Sequence, residues 1–66
     1  MNTNFKNIER KITADGWTLV RITGSHYQYK KAGSPLTVVV PNHSGRDVSI
    51  GVIKNLEKIT GLSLMR

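Results

Sequence analysis

Three short runs of β-branched and aromatic residues lie between two segments whose apolar residues have helical spacing. Short turn-forming sequences rich in glycine, serine and proline separate the three runs. Strands that are this close in sequence, and joined by turns this short, pair with their neighbours as an antiparallel meander. The order helix, strand, strand, strand, helix therefore predicts a two-layer α+β fold, with both helices on one face of a three-stranded antiparallel sheet.

The two helices are predicted over residues 4–15 and 49–60. In the first helix, the apolar residues are spaced by three and four positions and share one face: Phe5, Ile8 and Ile12. The predicted buried face of the second helix consists of Val52, Ile53, Leu56, Ile59 and Thr60. Ser49 is a suitable N-cap, and Gly61 stands where a left-handed residue often ends a helix.

The three strands are predicted over residues 17–22, 26–31 and 36–40. Thr23-Gly24, with or without Ser25, is predicted as the turn between the first two strands. If Thr23-Gly24 is a two-residue loop, Arg21 lies opposite His26 on the same sheet face. A shift of one residue in this register would move Arg21 to the other face.

Side chains of the second strand alternate between the two faces of the sheet. Tyr27 and Tyr29 are expected to face the helices, and stacking of nucleic-acid bases on them is the alternative. His26, Gln28 and Lys30 then point the opposite way, toward a sheet face that no helix covers. This open face is the predicted surface for a partner.

Ten basic residues against four acidic ones give the 66-residue chain a net charge of +6. Such an excess attracts polyanions or an acidic protein partner, although it can also serve solubility alone. The chain contains no cysteine, which excludes disulfides and thiolate metal sites. We expect a single domain over residues 1–66.

Neither a membrane segment nor an export signal is predicted. The longest apolar run is only Val38–Val40, and residues 1–11 mix polar and charged groups. We therefore expect a cytoplasmic protein without a membrane partner.

Several segments together resemble one family of bacterial toxins, the HicA family. The matching runs are Gly16-Trp17, residues 21–29 (RITGSHYQY), residues 38–43 (VVVPNH), residues 48–56 (VSIGVIKNL) and residues 60–62 (TGL). The resemblance extends from about Phe5 to Leu62, nearly the whole chain. One departure is visible, because many members have a second histidine directly after the first, where this chain has Tyr27.

The resemblance implies a fold like that of the double-stranded-RNA-binding domain and an mRNA-cleaving toxin. The family's essential histidine, in a Gly-Ser-His sequence, falls on His26. The implied partner is a HicB-type antitoxin that binds the toxin and masks this histidine. Without the resemblance, the residues alone favour an ordinary surface histidine at this position.

Imidazole suits ribonuclease chemistry because its ordinary pKa is about 6.5, so it can give or take a proton near neutral pH. His26 is therefore the predicted general base or general acid of a cleavage that needs no cofactor. The predicted RNA contacts are Gly24, Ser25, Arg21, Gln28, Lys30, Arg46 and Lys54. His43 is a possible second acid or base. For Gly24 and Ser25, simple turn formation is an equal alternative.

Three other interpretations remain open from the sequence. The first is a non-catalytic double-stranded-RNA-binding module, and the second is a domain that binds only an acidic protein. The third is a zinc site formed by His26, His43 and Asp47, which lacks a fourth ligand and a recognised spacing.

Overall fold

The predicted order of helices and strands is confirmed by a computed structural model, which describes residues 3–44 and 46–65. The elements are α1 (Phe5–Ala14), β1 (Thr18–Thr23), β2 (His26–Lys30), β3 (Thr37–Pro41) and α2 (Ile50–Thr60). β2 lies between β1 and β3 and is antiparallel to both. Within the described ranges, no helix is long and apolar enough to cross a membrane.

Side-chain and backbone caps fix the ends of both helices. The N–H of Asn7 donates to Oδ1 of Asn4 at 2.9 Å, before the first turn of α1. The N–H of Val52 donates to Oγ of Ser49 at 3.4 Å, so the predicted N-cap of α2 is confirmed. Gly61 ends α2 in the left-handed conformation at φ 75°, as its position in the sequence predicted.

The core lies between one face of the sheet and the two helices. The sheet contributes Tyr29, Val38 and Val40, each with no exposed surface. The helices contribute Phe5, Ile8, Ile12, Ile53 and Leu56 to the same cluster. Both helices therefore pack on the same face of the sheet, and no helix among the described residues covers the opposite face.

A partly buried hydrogen bond connects α1 to the middle strand of the sheet. The hydroxyl of Tyr29 donates to Oε2 of Glu9 at 2.5 Å. Burial raises the pKa of Tyr29, and its hydrogen bond to Glu9 and the negative charge of that carboxylate raise it further. The tyrosine therefore stays protonated and holds the helix against β2.

Leu64, in the segment after α2, is also part of the core, which the sequence did not predict. Leu64 has no exposed surface, and its N–H donates to Oε2 of Glu57 at 2.8 Å. The chain therefore turns back toward α2 after the helix ends, and Leu64 packs in the core.

The turn between β1 and β2 differs from the prediction. Thr23 is still part of β1 and pairs with His26, so the two-residue loop is Gly24-Ser25. Gly24 has φ 59°, a region that glycine adopts without strain. Glycine at the first position of a two-residue loop is the preference of a type II′ turn. The predicted Thr23-Gly24 loop is therefore wrong.

Candidate functional site

The uncovered face of the sheet carries three rows of side chains, each running across all three strands. From the loop end, the rows are Thr23–His26–Pro41, Arg21–Gln28–Val39 and Thr18–Lys30–Thr37. We call these nine residues the open face. Its only charged or titratable members are His26, Arg21 and Lys30. The open face therefore carries positive charge and no carboxylate, which favours an anionic ligand.

His26 is the first residue of β2, and its side chain is exposed to solvent. Thr23 flanks it on β1 and Pro41 flanks it on β3. The side-chain amide of Gln28 donates to Oγ1 of Thr23 at 3.4 Å, a weak bond that runs diagonally beside His26. The imidazole thus stands on a paired strand, where a ligand on the open face can reach it.

Arg21 lies opposite Gln28, so the predicted pairing of Arg21 with His26 is wrong. The cause is the position of the turn. With Gly24-Ser25 as the loop, Arg21 pairs two residues further along β2 than predicted, and its side chain therefore stays on the same face of the sheet as His26. A bulge at Val20, where the register shifts between Leu19 and Arg21, lies next to this position. Arg21 is a diagonal neighbour of His26, a separation that a long side chain can bridge. It forms no ion pair with any residue in the described ranges.

The loop after β3 is fastened to the turn that precedes His26. The N–H of Asn42 donates to the carbonyl oxygen of Ser25 at 2.7 Å, which extends the pairing of β2 and β3. The next residue is His43, whose carbonyl accepts from the N–H of Arg46 at 3.1 Å. His43 therefore lies at the His26 end of the sheet. Within residues 3–44 and 46–65, neither imidazole forms a hydrogen bond.

Arg46 and Lys54 do not lie on the open face. Lys54 is exposed on α2, which packs against the opposite side of the sheet. Arg46 precedes a short segment in which Asp47 pairs with Asn4, beside the start of α1. These two cations therefore belong to a separate area, so the predicted RNA contacts do not form one continuous patch on the sheet.

One lysine next to the open face is neutralised by a neighbour. Lys31 forms an ion pair with Asp15 at 2.9 Å. Lys30, in contrast, is exposed and has no carboxylate partner among the described residues. Of this adjacent pair, Lys30 is therefore the cation available to a ligand.

The zinc interpretation is not supported by the arrangement of the side chains. In the portion of the chain that the structure describes, no three histidine, aspartate or glutamate side chains are gathered as a metal site requires. His26, His43 and Asp47 thus do not form such a group.

A cavity on the other side of the sheet was not predicted from the sequence. Its volume is about 520 Å³, and it is lined by Phe5, Lys6, Glu9, Tyr27, Asn42 and Ser44. These residues come from α1, from β2 and from the loop after β3. One partial indication of this cavity was present in the sequence. The alternation of side chains along β2 predicted that Tyr27, one of the lining residues, faces the helices.

Taken together, the fold and the open face define a small basic α+β domain with an exposed histidine on a sheet surface suited to polyanions. A family model described as "HicA toxin of bacterial toxin-antitoxin" matches residues 5–62 of the 66. The chain therefore belongs to the HicA toxin family and is the toxin of a toxin–antitoxin system. Membership implies an antitoxin partner. A comparison with curated proteins gave no match.

Proposed function

We propose that this toxin is an endoribonuclease that cleaves mRNA without a metal ion, with His26 as a general acid or base. The observation that carries the proposal is the position of His26 in a HicA-family chain. It is exposed on the open face, with Arg21 as a diagonal neighbour, Lys30 at the far end of the same face and no carboxylate on the strands. The whole chain, residues 1–66, acts as one such domain.

RNA supplies its own nucleophile, the 2′-hydroxyl, so the protein needs to move protons and stabilise charge. One group removes the 2′-hydroxyl proton, and another protonates the leaving 5′-oxygen. His26 performs one of these transfers, which contributes about 10² to 10⁴-fold to the rate. His43 is the candidate for the other, since its loop is fastened at Ser25, next to His26.

The phosphate is held by groups around His26. Arg21, a diagonal neighbour of His26, extends its guanidinium to the scissile phosphate, and Gly24 lets the backbone approach this phosphate closely. The hydroxyl of Ser25 donates to a phosphate oxygen. Gln28 contacts a base or a ribose.

More distant phosphates are bound by Lys30 at the other end of the open face and by Arg46 and Lys54 outside it. Lys30 continues the positive surface away from His26. Arg46 and Lys54 flank the start of α2, where the backbone N–H groups of the first turn favour an anion. We regard this arrangement as similar to that of a double-stranded-RNA-binding domain.

The antitoxin partner inhibits the enzyme, in our proposal, by covering His26 in the cytoplasm. A HicB-type partner that occupies the open face has to present acidic groups to Arg21 and Lys30, because complementary charges guide docking. A complex in which His26 remains open to solvent would contradict this mode of inhibition.

The test is RNA cleavage by purified protein in EDTA, with a gel shift on the same samples. We expect cleavage by the wild-type protein and by Lys58→Ala, a control that removes one exposed lysine of α2. We expect His26→Ala to bind RNA, to keep the wild-type circular dichroism spectrum and to lose cleavage. Binding that depends on salt, without cleavage by the wild type, would instead support a non-catalytic RNA-binding module.

A further inference from the structure

The cavity beside α1 has the chemistry of a nucleotide site. Phe5 and Tyr27 form one wall, with ring centroids 4.8 Å apart and an interplanar angle of 65°. Phe5 is buried, whereas the ring of Tyr27 is only half-buried and can be reached from the cavity. The cavity has a volume of about 520 Å³ and is open to solvent on one side.

The polar groups of the cavity suit a phosphate and a base. The ammonium group of Lys6 is exposed and has no carboxylate partner within the described ranges. The hydroxyl of Tyr27 likewise has no hydrogen-bond partner among the residues that the structure describes. The first turn of α1 lacks an acidic residue, so its N-terminus adds positive potential. The carboxylate of Glu9, which also lines the cavity, accepts from the hydroxyl of Tyr29 but keeps its negative charge, so the phosphate has to bind at Lys6, away from Glu9.

The cavity lies at the same end of the sheet as His26, on the opposite face. Tyr27 directly follows His26 in β2, so their side chains point to opposite faces of one strand. Asn42, another cavity residue, donates its N–H to Ser25, directly before His26. A single-stranded RNA that passes from the open face around Ser25 would therefore reach the cavity next.

We propose that this cavity is a second nucleotide-binding subsite, which takes one ribonucleotide flanking the phosphate that is held at His26. Its base stacks on Tyr27, its phosphate pairs with Lys6, and the hydroxyl of Tyr27 offers a hydrogen bond to the ribose. The inference rests on the proposed function because it takes single-stranded RNA as the ligand. The subsite gives the enzyme contact with RNA on both faces of the sheet.

A nucleotide fits this cavity better than a side chain of a protein partner. An aromatic wall beside the exposed ammonium group of Lys6 matches the two parts of a nucleotide, the base and its phosphate. An acidic side chain would satisfy Lys6 but would leave the aromatic wall without a matching group. Binding of the antitoxin at this cavity is therefore the competing outcome.

The test is an NMR titration with a tetraribonucleotide whose 2′-hydroxyls are methylated, so that binding is measured without cleavage. We expect the backbone amide chemical shifts of Lys6, Tyr27 and Asn42 to change, in addition to those of the open-face residues. Lys6→Ala should weaken binding at least about fivefold and lower the slope of log K against log salt by about 0.7. Lys58→Ala, which removes a lysine outside the cavity, should keep both values.

A second pair of variants tests the base contact. Tyr27→Leu should weaken binding by about fivefold or more, since stacking is lost, whereas Tyr27→Phe keeps the ring and most of the affinity. The heteronuclear spectrum of each variant checks that the fold is retained.

The result separates the subsite from the proposed function. Open-face shifts without cavity shifts, or equal affinities for wild type and Lys6→Ala, would overturn the subsite even if the protein cleaves RNA. Cavity shifts in a protein that does not cleave RNA would support the subsite and contradict the nuclease. Cavity shifts that occur only with the antitoxin would overturn the subsite and indicate a protein contact instead.

Discussion

Replacing Tyr29 by phenylalanine tests the bond between α1 and the sheet. The ring is fully buried, and its hydroxyl donates to Glu9 at 2.5 Å. A hydrogen bond to a charged group contributes about 1.5–3 kcal/mol, and leaving a buried partner unpaired costs a similar amount. Glu9 is half-buried and can turn toward water in the variant, so we expect a loss of about 1–2 kcal/mol at neutral pH. In a domain of this size, that lowers Tm by roughly 4–16 °C.

The same substitution predicts a change in the pH dependence of stability. The unfolded-state pKa of tyrosine is about 10, and burial raises the pKa of Tyr29 in the folded protein. The protonated hydroxyl thus contributes its full stabilisation below about pH 10 and loses it as the pH rises further, because the unfolded state alone releases the proton. The free energy of unfolding of the wild type should fall relative to the variant by about 1.4 kcal/mol per pH unit.

Urea unfolding followed by circular dichroism, from neutral pH to about pH 11, measures both effects. The wild-type and Tyr29→Phe curves of free energy against pH should converge above about pH 10. Parallel curves, or equal stability at neutral pH, would show that the hydroxyl of Tyr29 does not stabilise the fold through Glu9.

Three further substitutions test other parts of the fold by the same urea measurement. Leu64→Ala should lose about 2–5 kcal/mol, because Leu64 is fully buried, and a smaller loss would show that the last segment is not part of the core. Gly24→Ala should lose about 1 kcal/mol, since φ is 59° there, and unchanged stability would contradict the assigned turn. Gly51→Ala should gain up to about 1 kcal/mol, because its added Cβ meets no atom within 4 Å in α2, and a loss would contradict that packing.

Local signals were sufficient to predict the helices. Phe5, Ile8 and Ile12 are all buried, as their spacing indicated, and the caps at Ser49 and Gly61 are where the sequence places them. These features depend on residues within one or two turns of each other. Such short-range chemistry is visible in a single sequence.

The register of the first hairpin was harder to predict because two adjacent dipeptides compete for the turn. Thr23-Gly24 and Gly24-Ser25 both contain the glycine, and only the second puts it at the first loop position. The prediction of Thr23-Gly24 as the loop is what placed Arg21 opposite His26. The bulge at Val20 has no local signal, because it depends on how β1 fits its neighbour.

Features that join distant segments could not be read from the sequence. The burial of Leu64 depends on the chain turning back after α2, and the cavity beside α1 depends on three separate segments. For the candidate site, alternation predicted that His26, Gln28 and Lys30 share a face, and the structure places them so. The hydrogen bond from Asn42 to Ser25, which holds the His43 loop near His26, is a tertiary contact that the spacing of residues in the sequence does not indicate.

The central claim is that His26 transfers a proton during RNA cleavage. The most direct measurement is the single-turnover rate constant for cleavage of one saturating RNA in EDTA, compared between wild type and His26→Ala. We predict that the rate constant falls by about 10² to 10⁴-fold while RNA affinity stays within about threefold. A rate constant for His26→Ala equal to that of the wild type would contradict the assignment of His26.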